Sequence, residues 1–236
     1  MKVTLQVIVV AAHPHEAELY SGGTLVRYAA RGDTVSIIYI TNGNLSDPAV
    51  KSQELSEIRQ KEATRVASLL NARLDWLDQS EHFVTVDAVT VMQVVAIFRE
   101  LHPDIVLTHS PHSLTPDHNA VAEIAIQASY KATVTNIEPS IPAISKLPIM
   151  FAMDGMPGQV PEPAYFVDIS ESENTKNKAL ECYSSLLELH AGTSKDLWKT
   201  SQAIGHYRGL QAGVKCAEGF RPINNDQGLG TTRWLP

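Results

Sequence analysis

The amino-acid sequence predicts an α/β protein of the Rossmann-like, doubly wound type, with a mostly parallel sheet and helices on both faces. The first observation is an apolar run at residues 5–12, LQVIVVAA, which is typical of a strand buried on both faces. The second is that similar runs alternate with segments of helical periodicity along the chain. The third is composition, because 236 residues with 44% hydrophobic and 19% charged side chains suit one α/β domain. We therefore treat residues 1–236 as a single domain.

Each predicted element follows from a local signal. Gly22-Gly23 opens the first helix and Gly32 ends it, while Asn42-Gly43-Asn44 stops the second strand. Pro103 ends the third helix. The predicted strands cover residues 5–12, 34–41, 73–77, 104–108, 149–155 and 164–170, and the predicted helices cover residues 23–32, 52–71, 86–101, 117–131, 172–190 and 194–208. Residues from about 217 to 236 are expected to form an irregular C-terminal tail.

Charge and cysteine content exclude several classes of protein. The formal net charge is −7 and there is no basic block, so we expect no nucleic-acid partner. No apolar stretch is long enough to cross a membrane. Cys182 and Cys216 are the only cysteines, and they are expected to be inert reduced thiols. These features predict a cytoplasmic protein without a membrane partner, and they leave a homo-oligomer open.

Histidines gather after two strands of the predicted sheet. His13 and Glu16 follow the first strand, and His118 lies early in the helix that follows the fourth strand. Five of the nine histidines fall in these two segments. Ligands of doubly wound sheets bind at the carboxyl ends of strands, and imidazole and carboxylate groups are natural zinc ligands. The spacing alone leaves a metal site and a merely polar surface equally open.

Three motifs give the chain a resemblance to a known family. The stretch AHPHEAELYSGGTL resembles the A-H-P-D-D-x-E-x-x-x-G-G-T-L motif that opens the PIG-L/LmbE-like N-deacetylases. Residues 59–63, RQKEA, are similar to the R-x-x-E-A helix of that family, and residues 115–121, TPDHNAV, are similar to its H-P-D-H-x-A-V motif. Residues 167–170 and 217–220 also fit, so the resemblance spans most of the chain in order.

The resemblance implies a metal-dependent hydrolase that removes the N-acetyl group from an N-acetylglucosamine conjugate or a related small amide. It places the metal ligands at His13, Glu16 and His118, with Zn²⁺ or another divalent ion as the cofactor. The metal would polarise the carbonyl and activate water. Glu16 stands where the family has aspartate, and its longer side chain can still coordinate.

The chain departs from the family at both acid/base positions. His15 replaces the aspartate that is the family's general base, and Thr115 replaces a histidine. We expect His15 to act as the base, His112 or His109 to supply what Thr115 lacks, and Asp117 to orient one of these imidazoles. His15 as a fourth metal ligand is left open, and so is a protein that has lost catalysis and only binds metal and sugar. A third alternative is an amidase that acts on a non-sugar substrate.

Further residues are candidates for contact with the substrate. The resemblance places Arg59 near the pocket, whereas its position three residues before Glu62 suits an ion pair on one helix face equally well. Asn42 follows the second strand and has a hydrogen-bonding amide for sugar hydroxyls, with turn formation as its other interpretation. His112 is the third candidate.

Overall fold

The computed structural model describes residues 4–137, 140–156, 158–191, 193 and 196–223. Its strands are β1 (Gln6–Ala11), β2 (Thr34–Thr41), β3 (Arg73–Gln79), β4 (Ile105–Thr108), β5 (Ile149–Met153), β6 (Tyr165–Asp168) and β7 (Ala217–Pro222). Its helices are α1 (Glu16–Arg31), α2 (Ser52–Leu70), α3 (Ala88–Leu101), α4 (Pro116–Ala132), α5 (Glu173–Glu181), α6 (Ser184–His190) and α7 (Leu197–Ala212). Among these, no helix combines the length and apolarity needed to cross a bilayer.

The seven described strands form one sheet in the order β3-β2-β1-β4-β5-β7-β6. Strands β1 to β5 run parallel, and β7 pairs antiparallel with both β5 and β6. This confirms the predicted α/β fold with a mostly parallel sheet. The strand order reverses between β1 and β4, so the crevice for a ligand is expected beyond their carboxyl ends.

Both faces of the sheet are buried, as the apolar strand sequences predict. Side chains alternate along β1, so that Val7 and Val9 join one hydrophobic cluster while Ile8 and Val10 join the other. The first cluster includes residues of α1, α2 and α5, and the second includes residues of α3 and α4. Helices therefore cover both faces and hold the central strands rigidly.

The predicted C-terminal tail is wrong over residues 217–222. These residues form β7, which lies between β5 and β6 in the sheet, and residues 224–236 lie outside the described part of the chain. Glu218 gives the strand an unusual buried carboxylate at 3% exposure. Its oxygens accept hydrogen bonds from the backbone N–H groups of Gly23 and Thr24 at 2.9 and 2.8 Å and pair with Lys176 Nζ at 2.8 Å. These long-range partners stabilise a strand whose sequence looks irregular.

The predicted start of the first helix is also wrong. Helix α1 begins at Glu16, and Gly22 and Gly23 lie in its interior. A Cβ atom at Gly23 would lie 2.7 Å from Cβ of Ile169, which is fully buried. The glycines are needed because α1 packs closely against the segment that connects β6 to α5. They do not mark a helix boundary.

We expect Gly23→Ala to destabilise the fold. Alanine favours a helix over glycine by about 1 kcal/mol, but overpacking a closed core costs about 1–3 kcal/mol. Urea unfolding should therefore give a lower free energy of unfolding for the variant. Ala30→Gly, at an exposed position of the same helix, calibrates the propensity effect alone. An unchanged or higher stability of Gly23→Ala would contradict the close packing.

Candidate metal centre

The loop after β1 brings His13 and Glu16 together. His15 occupies the N-cap of α1 with a φ of 107°, a left-handed conformation in which few residues other than glycine lie. The turn places Glu16 in the first turn of α1, where its Oε2 accepts the backbone N–H of His13 at 2.8 Å. Its Oε1 then lies 3.0 Å from Nδ1 of His13. The strained turn therefore sets the geometry of the two side chains.

The loop after β4 completes the cluster. Because β1 and β4 are paired neighbours, the first turn of α4 faces the first turn of α1. Nε2 of His118 lies 2.7 Å from Oε1 of Glu16. The candidate ligand atoms of His13, Glu16 and His118 all lie within 4.8 Å of one another. The structure thus brings together the three residues that the sequence selected as metal ligands.

The second ring nitrogen of His13 and that of His118 each contact a further polar group. Nε2 of His13 is 3.0 Å from Oδ2 of Asp117, and Nδ1 of His118 is 3.3 Å from Oγ of Ser113. Asp117 also accepts the backbone N–H of His82 at 2.8 Å. Metal-binding histidines generally donate their second N–H group to a carboxylate or another polar group. The donor set and its supporting partners therefore fit a divalent cation.

The electrostatics of the cluster also favour a cation. Burial alone would raise the pKa of Glu16, but the imidazoles of His118, His13 and His109 hold it well below its usual range. Burial alone would lower the pKa of His13, but the carboxylates of Glu16 and Asp117 raise it to about 10. The buried carboxylates therefore stabilise a positive charge at the position of His13, which is where a metal ion would replace a proton.

Of the two histidines that the sequence offered in place of Thr115, His109 lies in the cluster. Its ring stacks on that of His118, with centroids 4.0 Å apart and an interplanar angle of 10°. Its Nε2 accepts the backbone N–H of Ala12 at 2.9 Å. His112 is exposed and lines a neighbouring cavity of about 610 Å³ with Tyr165 and Arg221. The expectation that Asp117 orients His109 or His112 is wrong, because its carboxylate bonds to the ring of His13 and to the backbone N–H of His82 instead.

His15 stands apart from the three candidate ligands. Among the described residues, it is absent from the group of donor atoms that could share a metal ion. Its Nδ1–H donates to the carbonyl of Pro14, and its ring meets that of Tyr183 edge-on, with centroids 6.2 Å apart. Burial lowers the pKa of His15 to about 4, so the imidazole is neutral at pH 7. This arrangement leaves Nε2 as the nitrogen with a free lone pair.

Arg59 and Asn42 are already engaged by protein groups. Arg59 is 1% exposed, and its guanidinium donates to Glu62 at 3.2 Å and to the hydroxyl of Ser185. Asn42 donates to the carboxylate of Asp78 at 2.9 Å, and its own Oδ1 accepts the backbone N–H two residues later. Neither residue presents a free polar group to a substrate. Arg59 is explained by its ion pair with Glu62, and Asn42 by the turn that it stabilises.

Two further carboxylates near the cluster, Glu81 and Glu18, are not among the candidate site residues selected from the sequence. Oε1 of Glu81 lies 4.0 Å from Nε2 of His13, and no local pattern signals it. Glu18 is fully buried and accepts the hydroxyl of Tyr39 at 2.7 Å, and burial raises its pKa to about 7. The position of Glu18 within the opening motif was the signal that could have placed it beneath the site.

A protein-family model decides the affiliation of this chain. The model for PIG-L, described as GlcNAc-PI de-N-acetylase, matches residues 8–129, which is just over half of the sequence. The chain belongs to the PIG-L family. The matched region contains all three candidate ligands of the metal centre, together with His15 and Asp117.

Relatives of this family member include two kinds of enzyme. Diacetylchitobiose deacetylase of Thermococcus kodakarensis is 26% identical over 92% of this chain and 82% of its own. The 4-oxalmesaconate hydratase of Pseudomonas putida is 22% identical over 87% of this chain and 80% of its own. Among solved structures, 4-carboxy-2-hydroxymuconate hydratase of Pseudomonas putida has a TM-score of 0.84 at 22% identity and covers 95% of this chain and 98% of that one. That likeness shows the shared fold.

Proposed function

We propose that this protein is a metal-dependent hydrolase that removes the acetyl group from an N-acetylglucosamine-type conjugate or a related small amide. The observation that carries the proposal is the convergence of His13, Glu16 and His118 at the point where the strand order reverses. The deacetylase from Thermococcus kodakarensis, similar over most of both chains, supports this reaction class. We also propose that the chain is one domain that acts in the cytoplasm, either as a monomer or as a homo-oligomer.

The three candidate ligands would hold the cation, and zinc is the ion we expect. When bound, such a cation polarises a carbonyl and lowers the pKa of water. Asp117 holds the ring of His13 through Nε2, which leaves Nδ1, beside Glu16, as the nitrogen that would bind the cation. Ser113 does the same for His118 at its Nδ1. These contacts keep both imidazoles in the tautomer that a metal ligand needs.

His15 would act as the general base. Its Nδ1–H is held by the carbonyl of Pro14, so Nε2 can accept the proton of the attacking water. The water oxygen bonds to the carbonyl carbon, the C–N bond breaks, and the proton passes to the leaving amine. His109 accepts a backbone N–H at Nε2, which leaves its Nδ1–H as the group that can stabilise negative charge.

A hydratase is the second candidate, favoured by the sequence relative from Pseudomonas putida, a 4-oxalmesaconate hydratase that is similar over most of both chains. Such an enzyme adds water across a carbon–carbon double bond of an unsaturated acid. The cavity beside the cluster is lined by Arg221 and His112. These side chains offer positive charge and a hydrogen-bond donor for a carboxylate substrate.

One experiment separates these activities. The zinc-loaded protein is incubated with N,N′-diacetylchitobiose, with acetate and free amine measured, and in parallel with 4-oxalmesaconate, with loss of conjugated absorbance measured. Acetate and amine released in equal amounts support the deacetylase. Loss of absorbance without acetate release favours the hydratase. Stoichiometric zinc with neither reaction would contradict both and favour the binding protein without catalysis. The chelator-treated protein is the control.

Asp117→Asn should weaken the metal centre without removing a ligand. The amide cannot provide the negative charge that holds Nε2–H of His13, and losing such a supporting partner typically costs about 10–100-fold in metal affinity or activity. Zinc affinity measured by competition with a chromophoric chelator tests this. Asp47→Asn, at a half-buried position in the loop between β2 and α2, is the control. An unchanged affinity in Asp117→Asn would show that the contact does not orient the ligand.

A further inference from the structure

A second group of metal-ligating side chains lies outside the candidate active site. Glu173 is the first residue of α5, His206 lies on α7, and Cys216 directly precedes β7. A carboxylate oxygen, an imidazole nitrogen and the thiol sulfur of these three residues all lie within 4.8 Å of one another. Nε2 of His206 is 3.1 Å from Oε1 of Glu173. We propose that Glu173, His206 and Cys216 form a second site for a thiophilic divalent cation such as zinc.

The backbone around this cluster is rigid. Ile169 connects two of the three donors, because its N–H donates to the carbonyl of Cys216 at 2.9 Å and its carbonyl accepts the N–H of Glu173 at 2.8 Å. The N–H of Cys216 donates to Oγ of Ser170 at 3.3 Å. The backbone of Cys216 and that of Glu173 are therefore held beside each other without a metal, which lowers the entropic cost of binding one.

Space for the sulfur is provided by a glycine. A Cβ atom on Gly205 would lie 2.6 Å from Sγ of Cys216. The absence of that atom lets α7 approach closely enough for His206, the next residue, to reach Glu173. The thiol is 2% exposed and the imidazole is half-exposed. The site is therefore buried at the thiol and open to solvent at the imidazole, so a water molecule can supply a fourth ligand.

The donor set selects the metal. A thiolate with an imidazole and a carboxylate suits zinc or another borderline-soft ion, whereas calcium and magnesium prefer oxygen ligands alone. The second oxygen of Glu173 pairs with Lys215 Nζ at 2.8 Å, which orients the carboxylate and leaves Oε1 toward the imidazole. Binding would release the thiol proton of Cys216 to solvent as the sulfur–metal bond forms. The ion would then connect α5, α7 and β7.

Cobalt substitution tests this site directly. The full-length Glu16→Gln, His118→Ala protein lacks two ligands of the candidate catalytic centre, so added Co²⁺ reports on the second site. We expect a sulfur-to-cobalt charge-transfer band in the near ultraviolet that saturates and is abolished by excess zinc. Cys216→Ser should eliminate this band, and Cys182→Ser, at the other cysteine, should leave it unchanged. A band that survives Cys216→Ser, or no band at all, would overturn the proposal.

A second variant tests the site without changing a buried residue, because Cys216→Ser could lose the band through misfolding alone. His206→Ala changes a half-exposed side chain, and we expect it to lower cobalt affinity by at least about tenfold, since even a supporting partner is worth that much. Circular dichroism should show an unchanged fold. Equal cobalt affinity in His206→Ala and its parent would exclude the imidazole as a ligand and overturn the three-residue site.

Discussion

Glu16→Gln should abolish both metal binding at the candidate active site and turnover. Glu16 is the only carboxylate among the three candidate ligands, and its Oε1 lies within 3.0 Å of the facing nitrogens of His13 and His118. Glutamine keeps the shape but removes the charge that balances a divalent cation. Because the Lewis-acid effect of a catalytic metal is worth several kcal/mol, we expect kcat/KM to fall by about 10³-fold or more.

The measurement pairs zinc content after gel filtration with the rate of acetate or hydration product. Glu54→Gln, an exposed carboxylate in the first turn of α2, serves as the matched control and should retain both. The zinc content of Glu16→Gln should fall by the share that belongs to this site, while a cation at Glu173, His206 and Cys216 stays bound. Full activity in a Glu16→Gln protein that lacks zinc at the first site would disprove metal dependence.

The fold was predictable where the burial of an element shows in its own pattern of apolar residues. Strands β1, β2 and β4 are apolar runs because both sheet faces are covered, and alternation with helices identified the parallel topology. Strand β7 was not predictable in this way. Its buried Glu218 is stabilised by Lys176 and by the backbone of α1, which lie far away in sequence. Single-sequence patterns do not contain such partners.

The candidate site was predictable to the level of loops but not of side chains. The carboxyl ends of β1 and β4 had to meet, so His13, Glu16 and His118 could be grouped from sequence. The choice between His109 and His112 could not be made. Both lie on one loop. His109 belongs to the cluster because its ring stacks on that of His118 and its Nε2 lies 3.2 Å from Oε2 of Glu16.

Local signals also failed where tertiary packing overrode them. Gly22-Gly23 indicated a helix boundary, since glycine weakens helix interiors. In the structure Gly23 is interior because Ile169 fills the space that a side chain would need. For Arg59 the local signal gave the ion pair with Glu62 correctly, but it gave no sign of the second partner, Ser185, which is 126 residues away in sequence.

His15→Asn should lower kcat by about 10²–10⁴-fold, the range that a general base contributes, while zinc content stays unchanged. Asparagine tolerates the left-handed conformation that His15 adopts at a φ of 107°, so the turn that positions Glu16 should persist. Its amide cannot take the proton of the attacking water. His15→Asp, which introduces the residue that the family has at this position, should retain much of the rate.

The controls separate the base from a ligand and from a strained turn. His102→Ala places alanine at another histidine with positive φ, 51°, at the exposed C-cap of α3, and should leave kcat unchanged. Loss of zinc from His15→Asn would identify His15 as a ligand, which its position outside the donor group argues against. A wild-type kcat in His15→Asn would show that the proton goes elsewhere. Glu81, whose Oε1 lies 4.0 Å from Nε2 of His13, would then be the next residue to test as the base.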